Sequence, residues 1–115
     1  IPGSGGAGKF RGGLGARRAW TVLENNARAS VCMERMKSPP FGIAGGGYGS
    51  AARAILRYPD GTERALPSKG AFDVPAGGQV VLEAPGSGGY GDEAERDPAH
   101  IASDRKNGYL DETGY

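Results

Sequence analysis

At 115 residues the chain has the length of a single domain, and 14 Lys and Arg against 13 Asp and Glu leave a net charge of only +1. This balance excludes the basic surface expected of a nucleic-acid-binding protein, and no apolar run is long enough to cross a membrane. The 22 glycines, 8 prolines and 37% hydrophobic residues favour short strands joined by many turns over a helical bundle.

The single cysteine and the single histidine limit the available side-chain chemistry. Cys32 cannot form a disulfide within the chain, and we expect a buried thiol on a strand in a reducing compartment. A nucleophilic cysteine would need a nearby base, and His100 is distant in sequence. No signal peptide is visible, so a cytoplasmic protein is expected. The start at Ile1, in a loop-like stretch, is typical of a fragment or a processed chain.

Residues 1–15 show no periodicity and predict a loop. Within them, the stretch from Gly3 to Lys9 matches the GxxxxGK part of a phosphate-binding P-loop. A P-loop continues with Ser or Thr, which helps to hold Mg²⁺, but this chain has Phe10 there. The glycines that follow would break the helix that a P-loop must open. We interpret the stretch as a chance match.

Alternating apolar residues predict the first β-structure. A hairpin is expected from Arg17–Leu23 and Ala27–Met33, with its turn at Asn25–Asn26. Its second strand places Ala27, Ala29, Val31 and Met33 on one face. The prolines at 39 and 40 end it, because proline cannot donate to a β-ladder.

A second hairpin is expected from Ala52–Tyr58 and Thr62–Leu66 around the turn pair Asp60–Gly61. A short extended segment at Lys69–Val74 and a strand at Gln79–Pro85 follow. Spaced strands with frequent Gly and Pro turns predict a mainly β, antiparallel domain of sandwich or barrel-like form.

One short C-terminal helix is predicted. Asp97 suits the N-cap and Pro98 the first helical position, and Ile101 provides an apolar contact. Asn107–Gly108 is a typical helix end. Asp97 is therefore interpreted as a cap rather than as a general base.

Three glycine-rich loops interrupt this framework, at Ser4–Gly15, Gly45–Gly49 and Gly86–Asp92. Ordering glycine costs more entropy than ordering any other residue, so such clusters indicate close backbone approach or positive φ angles rather than a flexible linker. Tyr48 and Tyr90 recur at matching places in the second and third loops. We expect both to be packing aromatics with a hydrogen-bonded hydroxyl.

Four stretches succeed one another along nearly the whole chain: Ser4–Gly15, Pro39–Gly42 with Gly45–Gly47, Leu66–Gly70, and Pro85–Asp92 followed by Glu95–Pro98. In this order they resemble the motifs of the hydantoinase B/oxoprolinase family, which includes N-methylhydantoinase B-like subunits and is related to acetone and acetophenone carboxylase subunits. The resemblance implies that residues 1–115 are the C-terminal, β-rich part of a much longer subunit.

The resemblance also implies an activity. The longer subunit would act with a hydantoinase A-type, ATP-binding partner as an ATP-dependent amidohydrolase that opens cyclic amides of the hydantoin or 5-oxoproline type. The alternatives are a piece of an ATP-dependent ketone carboxylase and a non-catalytic assembly module. ATP and Mg²⁺ are expected on the partner subunit, any divalent metal in the absent N-terminal part, and none on this segment.

Activation of an amide or ketone oxygen by phosphate requires donors that stabilise negative charge, and successive backbone amides in glycine loops can form anion-binding nests. We therefore predict substrate or phosphate binding by residues of the glycine loops and by two cations next to glycine. The candidates are Arg11, Gly12, Gly13, Lys69, Gly88, Gly89 and Tyr90. The alternative is that these glycines only allow sharp turns and docking against the rest of the subunit.

No residue is assigned a catalytic role, and no metal site is predicted. His100 has no second His or Cys at ligand spacing, and Asp104, four residues later, completes at most half a site. His100 is expected at the surface or at an interface, and Asp92 in a turn.

Overall fold

The structure is a computed structural model that describes residues 1–25 and 27–112. Its strands are β1 (Arg17–Thr21), β2 (Ala27–Cys32), β3 (Arg53–Arg57), β4 (Glu63–Ala65), β5 (Lys69–Val74) and β6 (Gln79–Glu83). A 3₁₀ turn at Glu93–Glu95 and the helix α1 (Pro98–Lys106) follow. The predicted mainly β fold with one short helix is confirmed.

The strands form two antiparallel sheets. One has four strands in the order β1-β6-β3-β4, and the other pairs β2 with β5. Neither sheet closes into a barrel. Of the two forms that the sequence predicts, sandwich or barrel-like, the structure therefore has the one with two separate sheets. Within the described residues, no helix is long and apolar enough to cross a membrane.

The predicted hairpin between β1 and β2 is wrong. Trp20 on β1 lies opposite Val80 on β6, whereas Ala29 on β2 lies opposite Phe72 on β5. The two strands therefore enter different sheets, and Asn26 of the expected turn lies outside the described residues. Alternation indicates that each segment is extended, but the partner is selected by which apolar face can be buried.

The hairpin of β3 and β4 is confirmed, and its turn explains why. Asp60 Oδ1 accepts hydrogen bonds from the Thr62 amide at 2.9 Å and from the Thr62 hydroxyl at 2.6 Å. Gly61 has a φ of +87°, a conformation that side-chain-bearing residues rarely adopt. This local chemistry joins Leu56 to Arg64 across the pair.

The hydrophobic core lies between the two sheets. Its buried members are Val31, Ala54, Leu56, Leu66, Val74 and Val80. Strand side chains alternate between faces, so β2 points Val31 into this core and Cys32 outward. The expectation of a buried thiol is wrong for this reason: Cys32 is exposed, although it lies on a strand as predicted.

The helix α1 has the predicted ends. The Asp97 side chain accepts a hydrogen bond from the Ala99 amide at 2.8 Å, and Pro98 occupies the first turn. Asn107 caps the C-terminal end of the helix, and Gly108 follows with a φ of +68°.

Candidate functional site

Three extended segments, residues 4–15, 40–49 and 84–91, lie side by side, and we call them the glycine bundle. Backbone hydrogen bonds connect every pair of segments. The Gly6 amide donates to the Ser87 carbonyl at 2.8 Å, the Gly47 amide to the Ala7 carbonyl at 2.8 Å, and the Gly89 amide to the Gly47 carbonyl at 2.9 Å. The glycine loops that are far apart in sequence thus form one structural unit.

The backbones of the bundle lie too close together for side chains. A Cβ on Gly6, Gly46 or Gly89 would come within 3.0 Å of a carbonyl oxygen on another segment, which real Cβ atoms essentially never do. Backbone hydrogen bonds and weak Cα–H···O contacts take the place of side-chain packing. Glycine is required here for close approach, as predicted from its clustering.

Six of the seven predicted binding residues lie in the glycine bundle, but three of their amides are already bonded. The Gly12 amide donates to the Gly6 carbonyl at 2.9 Å, and the Tyr90 amide to the Phe10 carbonyl at 2.9 Å. The Gly89 amide joins two segments of the bundle. These amides stabilise the bundle, and their binding of an anion stays a prediction.

The other candidates have different surroundings. Gly13 is exposed and Gly88 is half-buried, and both belong to the bundle. Lys69 lies apart on β5 of the two-stranded sheet, opposite Cys32. Its ammonium is exposed and 3.9 Å from a carboxylate oxygen of Glu34. The fold therefore brings together every candidate except Lys69.

The GxxxxGK stretch does not have the geometry of a nucleotide site. Its Gly6 amide is used in the bundle, and the Lys9 amide donates to the Gly91 carbonyl at 3.4 Å. The Lys9 ammonium lies 2.9 Å from Glu95. The chain then passes into the strand β1 rather than into a helix. These residues do not fit a bound nucleotide, in agreement with the sequence argument.

An ion-paired cluster, which we call the arginine clamp, joins α1 to the bundle. It consists of Arg11, Arg96 and Asp104. Arg11 Nε donates to Asp104 Oδ2 at 2.8 Å, and Arg96 Nη2 donates to the same oxygen at 2.6 Å. Arg11 Nη1 also donates to the Gly12 carbonyl at 2.7 Å, and its guanidinium carbon lies 5.7 Å from the centre of the Tyr109 ring. The clamp orients Arg11 toward α1.

The clamp shifts the ionisation of its members. The pKa of Asp104 lies below its usual value, and the hydrogen bond from Arg11 is the largest cause. The charges of both arginines also lower this pKa, whereas burial raises it. The same hydrogen bond is the largest cause that raises the pKa of Arg11. Sequence reasoning missed Arg96 as a functional partner, although this residue lies within the family-like stretch at 95–98.

A cavity of about 410 Å³ lies beside the clamp. Its charged lining comes from Arg11, Arg96, Arg105 and Glu93, and apolar side chains such as Ile101 complete it. Arginine is well suited to bind oxyanions because its planar group offers several donors. Three guanidinium groups, those of Arg11, Arg96 and Arg105, line this one cavity.

The remaining sequence expectations concern Tyr48, Tyr90 and His100. The expectation of packed tyrosines is wrong, because Tyr48 is 70% and Tyr90 is 54% exposed. Buried Gly49, Gly89 and Gly91 flank these positions, so the bundle turns its glycines inward and its tyrosines outward. His100 is exposed on α1, as expected. Residues 1–25 and 27–112 contain no group of three or more His, Cys, Asp or Glu that could hold a metal ion.

Gly89→Ala and Gly13→Ala form a matched test of the bundle. A Cβ at position 89 would overlap the Ala7 carbonyl, whereas at position 13 the nearest atom is Ser87 Oγ at 3.6 Å. We expect Gly89→Ala to lower the free energy of unfolding by about 3 kcal/mol or more, and Gly13→Ala to change it by less than about 1 kcal/mol. Urea denaturation of both variants measures this. Equal stability of the two would contradict the close-approach interpretation.

Asp104→Asn tests the arginine clamp. At pH 7 we expect a loss of about 3 kcal/mol of unfolding free energy, because two partly buried guanidinium groups lose their carboxylate. The folded-state pKa of Asp104 is lowered, so its stabilisation is complete above the unfolded-state pKa of about 3.9 and is lost as the pH falls through the lower folded-state value. Denaturant midpoints at pH 7 and pH 3 should therefore differ less in the variant than in the parent.

The control for the clamp is Asp73→Asn. Asp73 forms an exposed ion pair with Arg28 at 3.1 Å, which is worth less than about 1 kcal/mol. A loss in Asp104→Asn no larger than in this control would show that the clamp does not stabilise the fold.

Comparison with known proteins identifies the family of this chain. The family model described as hydantoinase B/oxoprolinase matches residues 1–93. The beta chain of the caprolactamase of Pseudomonas jessenii is 33% identical over 111 residues, which are 93% of this chain and 19% of that protein. A 5-oxoprolinase of Dictyostelium discoideum is 32% identical over 77% of this chain and 7% of its own length.

A solved structure shares the fold. The crystal structure of the ATP-dependent caprolactamase from Pseudomonas jessenii superposes on 99% of this chain with a TM-score of 0.85 at 30% identity, and the match covers 20% of that chain. The present chain thus spans a fifth or less of the length of these relatives. The family model matches most of the sequence, and the chain belongs to the hydantoinase B/oxoprolinase family.

Proposed function

We propose that this chain is a segment of an ATP-dependent enzyme that hydrolyses cyclic amides. The observation that carries the proposal is the structural match to the ATP-dependent caprolactamase over 99% of the chain with a TM-score of 0.85. The 5-oxoprolinase and a putative D-/L-hydantoinase of Pseudomonas, whose B-type subunit is 32% identical over 90% of this chain, support the same reaction class. Caprolactam, 5-oxoproline and hydantoin share a cyclic amide, which favours hydrolysis over ketone carboxylation.

The proposed place of the chain is the C-terminal, β-rich part of a hydantoinase B-type subunit. Two relatives are named as subunits, one of the caprolactamase and one of the hydantoinase, which supports a multi-subunit enzyme, and each is about five times longer than this chain. The partner would be a hydantoinase A-type, ATP-binding subunit in the cytoplasm. Binding of ATP and Mg²⁺ by that partner is consistent with the unsuitable geometry of the GxxxxGK stretch, where Lys9 is paired with Glu95.

For the predicted anion site, we propose the cavity beside the arginine clamp. Several amides of the glycine loops already donate within the bundle, whereas Arg11, Arg96 and Arg105 line one cavity. Asp104 neutralises one of these three positive charges, and Glu93 lines the same cavity. An excess of positive charge remains, which suits a phosphate or carboxylate group. Gly13 and Gly88 would serve as framework for this site, and Lys69 would not contribute.

The assay for the proposed function is ATP hydrolysis by the complete assembly, meaning the subunit that contains this sequence together with its ATP-binding partner. We expect hydantoin, 5-oxoproline or a lactam to stimulate ATP hydrolysis. The ring should be opened in proportion to the ATP consumed, because cleavage of the amide is coupled to ATP hydrolysis. A linear amide serves as control. Stimulation only by a ketone with bicarbonate would establish the carboxylase alternative, and no stimulation by any of these would reject the proposal.

The anion site has a separate test on the chain itself. Titration with inorganic phosphate, followed by NMR, should give saturable shifts at Arg11 and Arg96. Arg105→Ala should weaken binding roughly tenfold, since charge-assisted hydrogen bonds contribute about 1.5–3 kcal/mol. Lys106→Ala is the matched control, because Lys106 is adjacent in sequence but does not line the cavity. Non-saturable shifts, or equal effects of the two variants, would contradict this site.

A further inference from the structure

The chain has the shape of a thin slab. Its principal extents are 53 × 27 × 16 Å and its radius of gyration is 16.9 Å, whereas a compact domain of this length has about 13 Å. Its accessible surface is 7256 Å², compared with about 5,900 Å² for an average monomer of this mass. The excess of roughly 1,300 Å² is larger than the area of about 800 Å² that one partner contributes to a protein interface of standard size. The slab therefore exposes enough surface for a large contact.

One apolar cluster on this slab is built by all three segments of the glycine bundle. We call Phe10, Ile43 and Tyr90 the docking patch. Phe10 and Tyr90 exchange backbone hydrogen bonds at 3.0 and 2.9 Å, and Ile43 forms a parallel bridge to Tyr90 on its other side. Residues opposite each other in a ladder point to the same face, so the three side chains form one surface.

The docking patch is open to solvent. Phe10 is 55%, Ile43 is 58% and Tyr90 is 54% exposed, and the two rings lie 6.3 Å apart between centroids. None of these side chains is charged, in a chain with 23% charged residues. Contiguous apolar patches of this kind on a protein surface mark interaction sites.

Backbone hydrogen bonds on both sides of Ile43 hold the segments below the patch together. The carbonyl of Gly89, directly before Tyr90, accepts from the Ile43 amide at 2.9 Å, and the carbonyl of Ile43 accepts from the Gly91 amide at 3.0 Å. A patch on a preorganised backbone loses little conformational entropy when a partner binds. This favours a permanent packing surface.

We propose that the docking patch packs against the remaining part of a hydantoinase B-type subunit. The proposal rests on the proposed place of this chain in such a subunit. The solved caprolactamase contains a segment that matches this slab, and the match covers only 20% of that chain. The other four-fifths of that chain lie outside the matched segment, which supports the proposal. The uncharged patch fits an apolar surface of the same polypeptide better than a charged partner.

The test compares two contexts. One is the 115-residue chain, and the other is a chimera in which this chain replaces the matching fifth of the Pseudomonas jessenii caprolactamase chain. Hydroxyl-radical footprinting reports the oxidation rates of Phe10 and Tyr90. We expect both residues to react at rates typical of exposed aromatics in the isolated, monomeric chain and severalfold more slowly in the chimera.

A matched pair of variants supplies the second measurement. Ile43→Asp should prevent assembly of the chimera but leave the circular dichroism of the isolated chain unchanged. Leu23→Asp should be tolerated in both contexts, because Leu23 is 82% exposed and lies outside the patch. Tolerance of Ile43→Asp in the chimera would overturn the proposal.

The other outcomes are also decisive. Equal oxidation rates in the two contexts, or failure of the chimera to assemble while the isolated chain is folded, would overturn the docking proposal. Sedimentation of the isolated chain as a dimer with a protected patch would assign the patch to a second copy and also overturn it. A chimera with a protected patch in which neither hydantoin, 5-oxoproline nor a lactam stimulates ATP hydrolysis would reject the proposed function and support the docking.

Discussion

Backbone-to-backbone contact in the glycine bundle is the constraint on which the rest of the structure depends. Each of the three segments donates hydrogen bonds to another, as at Gly6, Gly47 and Gly89, and the spacing excludes a Cβ. At the closest contacts of such a unit the inner positions are glycines, so the large side chains between them point outward. This close contact of backbones explains why Phe10 and Tyr90 are exposed. It also explains why the loop amides donate hydrogen bonds within the bundle.

The arginine clamp fixes the position of α1 relative to the glycine bundle. A helix of nine residues is marginal by itself, and Asp104 is its buried residue. Arg11 comes from the first segment of the bundle and Arg96 from the connection that precedes the helix, and both bind the same carboxylate oxygen. An ion pair, rather than an apolar face, thus holds the helix in place. The same arrangement leaves a cavity with an excess of guanidinium groups beside the bundle.

Much of the fold and part of the candidate site were predictable from local signals. Asp60 and Gly61 indicate the β3–β4 turn, and Asp97 and Pro98 indicate the helix start, because each signal acts within a few residues. The exposure of Cys32 was also within reach, since Val31 beside it belongs to the apolar face that the alternation predicts and neighbouring strand residues point to opposite faces. For the site, the sequence identified the glycine loops and Arg11 but not the pairing of Arg11 with Asp104, which lie 93 residues apart.

By itself the sequence determined the class of fold, the places where glycine is required, the ends of the helix and the family, because these are encoded in short motifs and in composition. Only the tertiary structure decided that β1 and β2 enter different sheets, that the loop amides bond to one another, and that two arginines share Asp104. The physical reason is that such partners are selected by burial and charge pairing over long separations, and many pairings are compatible with the same local pattern.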